Sequence, residues 1–396
     1  MMRAKTVLLL FGLGMGLALG EVGLRIAERL RIPVDAVAQI DDPRFGIRAR
    51  PCVADVDCRG FRNETAADTA EIVALGDSQT WGINAPRWSA WPQRLAKHLG
   101  LSVYNMGTGG FGMVQHYLLL DQALRLRPKR LIVGLYLGND LYDAYRIAYL
   151  LPANHTLRRP MAPPEWQHDV LRARVAEIWK RRCTYTPNIR DSWLHWLTRK
   201  SATGRLLAQF GLGNRALFRL GVAWAQRNPD LGDVVDLADI QTVFTPRYRL
   251  LALDRSEPRI EEGLRLSERL YREMDTRARA AGVSTLLVLL PTKESAYEEI
   301  MSSGGGQPSD TYRRLVTVEA DVREELLRFC RSSNLNVLDV RPALSAALRG
   351  GSAMYPVTTD GHPNAAGYEA IASAVTKTLL PCLAEKGSPR RRSPVP

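Results

Sequence analysis

Four short stretches of this 396-residue chain carry side chains able to do chemistry, and each lies at the edge of an apolar run or an amphipathic one. Gly76-Asp77-Ser78 follows Ile72 to Leu75, and Asn105-Met106-Gly107-Thr108-Gly109-Gly110 ends the run from Leu101. Gly138-Asn139-Asp140 follows Leu131 to Leu137, and Asp360-Gly361-His362-Pro363-Asn364 precedes the last amphipathic segment. A serine hydroxyl attacks a carbonyl only when a base takes its proton, and an Asp two residues before a His can hold and polarise that imidazole. Ser78 is therefore the candidate nucleophile, His362 its base and Asp360 the group that orients the base. The Asn139 amide and the glycine-rich backbone can donate hydrogen bonds to charge developing on a carbonyl oxygen. Each stretch alone is also ordinary turn chemistry; three of them end apolar strands and the fourth lies beyond the last one, and that arrangement gives them weight.

That placement requires a sheet. Ile72–Leu75, Leu101–Asn105, Leu131–Leu137, Thr285–Leu290 and Leu335–Val340 read as continuous apolar strands, which belong to a parallel sheet covered on both faces. Between them lie helical patterns: one with Pro92 in its first turn and Gly100 as its stop, then Met113 to Arg125, Arg259 to Ala281 and Val318 to Ser332. A last helix runs from the N-cap Asn364 to Leu380, with Tyr368, Ile371, Val375 and Leu379 on one face. In such sheets ligands bind at the carboxyl ends of the strands, where Ser78 and Asn139 fall.

Residues 146–258 interrupt the alternation. They show no clean strand, contain Trp166, Trp179, Trp193, Trp196 and Trp224, and concentrate the charge: Arg146 to Arg227 holds 15 Arg and Lys against 4 Asp and Glu, nearly the whole formal +13. We read this as a basic helical insertion whose aromatics pack internally or stack on sugars. Its charge suits a solvated face, an anionic polymer or a membrane surface. No basic-aromatic pattern of a nucleic-acid module is present.

At the amino terminus Arg3 and Lys5 precede the uncharged run Thr6 to Gly20, so residues 1–25 are expected to be a secretory signal or a membrane anchor. Residues 26–70 read as a loop-rich lead-in and 383–396 as a disordered tail. Five cysteines occur, at 52, 58, 183, 330 and 382, and Cys52 with Cys58 suits a local disulfide in an oxidising compartment. Metal is not expected: no C-x-x-C or H-E-x-x-H spacing exists and the six histidines are scattered.

Together the four stretches resemble the blocks of the SGNH, or GDSL, hydrolase family. G-D-S at 76–78 is similar to the first block, N-x-G-x-x-G at 105–110 to the second, G-N-D at 138–140 to the third, and the Asp360–His362 pair to the last. The family's usual last block is D-x-x-H; here Gly361 alone separates the two residues, which leaves Asp339 as another carboxylate that could orient the imidazole. The resemblance covers about 70–145 and 260–380. It implies a three-layer, flavodoxin-like α/β fold with a five-stranded parallel sheet, spanning 71–145 and 259–382 around the insertion. It also implies catalysis by Ser78, His362 and Asp360 without a cofactor, with an oxyanion hole of Ser78 N–H, Gly110 N–H and the Asn139 side chain. The G-x-S-x-G elbow of the other large α/β esterase class is absent. The expectation is an exported esterase removing acyl groups, O-acetyl groups among them, from a cell-envelope carbohydrate. The alternatives are acyl transfer to a polysaccharide by the same residues and a non-catalytic polysaccharide-binding protein.

Overall fold

The computed structural model describes residues 39–168 and 214–387 apart from 54, 238, 239 and 306, with scattered positions between 12 and 23 and at 171 and 177. Most of the expected signal or anchor, Trp179, Trp193, Trp196, Cys183 and residues 388–396 lie outside the described residues. Among the described residues no helix is long and apolar enough to cross a membrane.

The chain begins with an antiparallel pair, β1 (Gln39–Asp42) and β2 (Gly46–Ala49). It continues through β3 (Ile72–Leu75), α1 (Ser78–Trp81), α2 (Trp91–Leu99), β4 (Val103–Asn105), α3 (Met113–Arg125), β5 (Arg130–Tyr136) and α4 (Asp140–Leu150). After α5 (Asn214–Arg227), β6 (Asp233–Asp236) pairs with β7 (Gln241–Phe244) and α6 (Pro246–Leu250) follows. The remainder is α7 (Pro258–Ala280), β8 (Ser284–Leu290), α8 (Lys293–Ala296), α9 (Asp310–Ser332), β9 (Val337–Asp339), α10 (Arg341–Arg349) and α11 (Ala365–Gly387).

The expected parallel sheet is present, in the order β4-β3-β5-β8-β9 with every pair parallel. Counting only these strands, that order is 2-1-3-4-5, the doubly wound arrangement of flavodoxin-like folds. The order reverses between β3 and β5, and Gly76-Asp77-Ser78 follows the carboxyl end of β3, the edge where doubly wound sheets bind ligands. Successive residues of β3 face opposite layers: Val73 and Leu75 join one core with Val114, Leu141 and Leu270, while Ile72 and Ala74 join another with Trp91, Tyr368 and Val375. All four β3 residues are buried, which is why the strand reads as continuously apolar.

The lead-in and the insertion are more structured than their composition suggests. Cys52 and Cys58 are disulfide-bonded, and Asp57 in that loop accepts from Tyr104 Oη at 2.6 Å and from Asn63 Nδ2 at 3.0 Å. Arg62 donates to the carbonyls of Trp81 at 3.1 Å, Gly82 at 2.7 Å and Ala85 at 3.0 Å, pinning the segment after Ser78. Against the expectation of no strand in 146–258, β6 and β7 form a hairpin. Four-residue strands are too short to show alternation in sequence; this pair is held by burying Val235 and Phe244 against the main core. Trp166 is buried against Tyr145 and Tyr149, and Trp224 is buried with Phe218 and Leu231, so these two tryptophans pack internally and offer no face to a sugar.

One buried acid makes stability pH-dependent. Glu319 on α9 accepts from Thr292 N at 2.9 Å, and Thr292 caps α8 by accepting from Ser295 N. Burial pushes the Glu319 carboxyl from 4.5 up to about 7. The native state thus keeps a proton that the unfolded chain releases near pH 4.5, so this residue's contribution to stability falls as pH rises from 4.5 to 7 and is constant above. Glu319→Gln cannot ionise. Its stability relative to wild type is expected to improve by on the order of 3 kcal/mol between pH 4.5 and 7.5 in urea unfolding. Parallel curves would show that Glu319 does not titrate in this window.

Candidate active site

Gly76 ends β3 because Thr80 folds back over it: a Cβ there would lie 1.9 Å from Thr80 Oγ1. Asp77 then caps α1, its Oδ1 accepting from Gln79 N at 2.9 Å, and Ser78 becomes the first helical residue. The first N–H groups of a helix have no acceptor within it, so Ser78 N–H is oriented outward by construction. Burial pushes the Asp77 carboxyl above its ordinary range, with the neighbouring Asp143 adding to the effect and the Gln79 N–H, His362 and Ser78 opposing it.

His362 reaches Ser78 from the far end of the chain. Its Nε2 lies 2.8 Å from Ser78 Oγ and its Nδ1 2.6 Å from Asp360 Oδ1. With a carboxylate on Nδ1, that nitrogen holds the proton and Nε2 offers its lone pair to the serine. Asp360 Oδ1 also accepts from His362 N at 2.9 Å, which closes the tight Asp-Gly-His turn and makes a one-residue spacing sufficient. Asn84 Nδ2 donates to His362 O at 3.2 Å and Gln79 Nε2 to Gly361 O at 3.4 Å, tying this turn to the segment around Ser78. Gly361 leaves room for Arg249, since a Cβ there would come within 2.2 Å of Arg249 Nη2 and the guanidinium would have to shift. The other carboxylate considered from the sequence, Asp339, lies at the end of β9, 3.4 Å from Arg323 Nε, and accepts from Arg341 N; Asp360 is the carboxylate on the imidazole.

The glycine loop after β4 lies against α1. Asn105 Nδ2 donates to Thr80 O at 3.0 Å while its Oδ1 accepts from Gly107 N at 2.8 Å, and Thr108 N donates to Gly76 O at 3.0 Å. A Cβ on Gly107 would lie 2.6 Å from Trp81 N and one on Gly109 would lie 3.8 Å from Ser78 Cβ. Gly110 has a φ of 77°, in the region that favours glycine. Gly107→Ala is expected to push α1 and Ser78 out of register and lower kcat by about 10²-fold with the fold retained, as judged by circular dichroism and initial rates. A wild-type kcat would contradict that packing.

Asn139 follows β5, and its Nδ2 donates to Asp143 Oδ2 at 2.5 Å. One of its two amide hydrogens is thus engaged and the second is left to point elsewhere. Arg146 completes a bridge that the sequence did not reveal: it donates to Asp143 Oδ1 at 3.1 Å and to Gly110 O at 3.4 Å. Asn139 and the Gly110 loop, two of the expected oxyanion-hole elements, are therefore held by one network. Its signal was present in the spacing, since Asn139, Asp143 and Arg146 fall on one face of the first turns of α4.

The site thus joins a strand-end serine, a histidine on its hydroxyl and a carboxylate on that histidine at the edge of a parallel sheet of order 2-1-3-4-5. No family model and no curated protein matches the chain. Solved structures do. A G-D-S-L family protein from Desulfitobacterium hafniense is 13% identical, covering 78% of this chain and 100% of that one at a TM-score of 0.38. A catalytic mutant of an acetylxylan esterase from Geobacillus stearothermophilus is 12% identical, covering 83% and 99% at 0.34. A GDSL-like lipase from Bacteroides thetaiotaomicron is 11% identical, covering 78% and 88% at 0.29.

Proposed function

We propose that the protein is a serine esterase that works through an acyl-enzyme, removing O-acetyl groups from a carbohydrate. The observation that carries this is the unbroken contact from Ser78 Oγ to His362 Nε2 and from His362 Nδ1 to Asp360. In this reading His362 takes the Ser78 proton as Oγ attacks the ester carbonyl, and the carbonyl oxygen becomes an oxyanion. Ser78 N–H, Gly110 N–H and the second Asn139 amide hydrogen receive that charge, each worth about 3 to 4 kcal/mol of barrier. The tetrahedral intermediate collapses, His362 returns the proton to the departing alcohol, and water repeats the sequence on the acyl-enzyme.

Hydrolysis rather than transfer suits a base that is only part-buried, because water has access to the second half-reaction. The carbohydrate substrate is supported by the export expected from the amino terminus, with which the Cys52–Cys58 disulfide agrees, and by Trp88, an exposed aromatic close in sequence to the Asn84 contact with the His362 turn. The test is release of acetate from acetylated xylan and from p-nitrophenyl acetate, beside longer p-nitrophenyl esters. Acetate release from both, with weak action on long chains, is the expected result. Cleavage of long-chain esters without acetate release from any acetylated glycan would overturn the carbohydrate reading.

A further inference from the structure

Lys293 stands immediately after β8, at the start of α8, and only 1% of it is exposed. A buried ammonium is costly unless its N–H donors are satisfied. Here Nζ faces four backbone carbonyl oxygens, those of Thr358 at 2.6 Å, Pro356 at 3.1 Å, Asp360 at 3.2 Å and Val243 at 3.3 Å. Three of the four belong to the stretch 356–360, which forms no helix or strand and ends on the carboxylate that holds His362. The fourth is on β7, and Thr242 of the same strand donates its Oγ1 to Pro356 O at 2.8 Å. The ring of Phe244 lies 5.8 Å from Nζ, so the hairpin of the insertion helps to enclose the ammonium.

We propose that Lys293 is a positioning residue for the acid–base arm. Its ammonium gathers the carbonyls of 356, 358 and 360 onto one point and so fixes where Asp360 presents its carboxylate to His362. The hairpin β6–β7 shares that point, which gives the insertion a mechanical link to the triad. A lysine suits the task because a compact ammonium on a flexible stem can serve diverging acceptors, whereas the flat fork of arginine suits coplanar ones.

The role rests on the esterase reading for its kinetic test, so a second readout independent of turnover accompanies it. In Lys293→Met, kcat on p-nitrophenyl acetate is expected to fall by about 10²-fold with KM within about twofold, as for a misplaced catalytic group. The same substitution in an Asp360→Asn background is expected to cost nothing further, because both act through one carboxylate. Amide exchange in 357–362 is expected to quicken in Lys293→Met while exchange in β3, β5 and β8 stays as in wild type. An additive loss, or unchanged exchange in 357–362, would overturn the proposal. If wild type cleaves no ester, the esterase reading fails and the exchange result alone decides the role of Lys293. Should the Met variant not fold, Lys293→Arg, which keeps the charge and donors, is expected to fold with the same kcat loss. Wild-type kcat in that variant, or failure of both to fold, would make Lys293 a core residue without a positioning role.

Discussion

Ser78→Ala is expected to remove essentially all esterase activity, lowering kcat by about 10⁶-fold while leaving the thermal midpoint within about 2 °C. The loss follows from the mechanism: without Oγ there is no acyl-enzyme, and what remains is the oxyanion donors acting on direct attack by water, worth about 10³ to 10⁴ over solution. The stability expectation follows from the local structure. Ser78 Oγ contacts the side chains of His362 and Asp77, whereas the turn is built by the Asp77 cap and the packing of Thr80 over Gly76, which alanine leaves intact. Rates with p-nitrophenyl acetate, with contaminating esterases excluded by active-site titration, measure it. Retention of more than about 1% of wild-type kcat would remove Ser78 from the role of nucleophile.

Asp360→Asn is expected to lower kcat by about 10⁴-fold, with KM little changed. An amide on Nδ1 can donate to it as well as accept from it, so the imidazole is no longer held in the tautomer whose Nε2 is free to take the Ser78 proton. The same change at Asp339 is expected to alter kcat by no more than severalfold, since Asp339 pairs with Arg323 rather than with the histidine. The pair of variants therefore separates the two carboxylates that the sequence alone left open. Equal losses at 339 and 360, or none at 360, would contradict the geometry.

The sheet was legible because its strands are buried on both faces and so stand out as apolar runs. Ile72–Leu75 was expected and is found with the same bounds, and Met113–Arg125 likewise. The ends of other strands were overextended: Leu101 and Leu335 are apolar but belong to the connections leading into β4 and β9, where side-chain packing continues and the ladder does not. The helix expected from Val318 begins at Asp310, because Ser309 caps it by accepting from Tyr312 N, a signal masked by the adjoining glycine-rich loop. The β6–β7 hairpin and α10 were missed; the strands of the hairpin are only four residues long, and α10 follows directly on β9 as a helix of nine residues.

For the site, residue type and place in the chain were enough to nominate Ser78, Asn139, Asp360 and His362, and the resemblance added Gly110. What sequence could not supply is the support behind them. Arg62, Lys293 and the Arg146 contact to Gly110 join segments distant in the chain, as when Arg62 reaches three carbonyls of the turn after Ser78. A charged residue with such partners looks, in one dimension, like any surface charge. The tryptophans illustrate the converse, since a large aromatic in a basic segment suits either a core or a sugar platform, and only the packing of Trp166 and Trp224 decides for the core.

The most direct measurement is covalent labelling of the wild-type protein and of His362→Ala with a fluorophosphonate, followed by mass spectrometry of the peptides. One adduct per chain on Ser78, formed at least about 10³-fold more slowly in the variant, is the expected result, because the reagent reports both the nucleophile and the base that activates it. Labelling of a different residue, or of Ser78 at the same rate without His362, would contradict the assignment of Ser78, His362 and Asp360 as one catalytic unit.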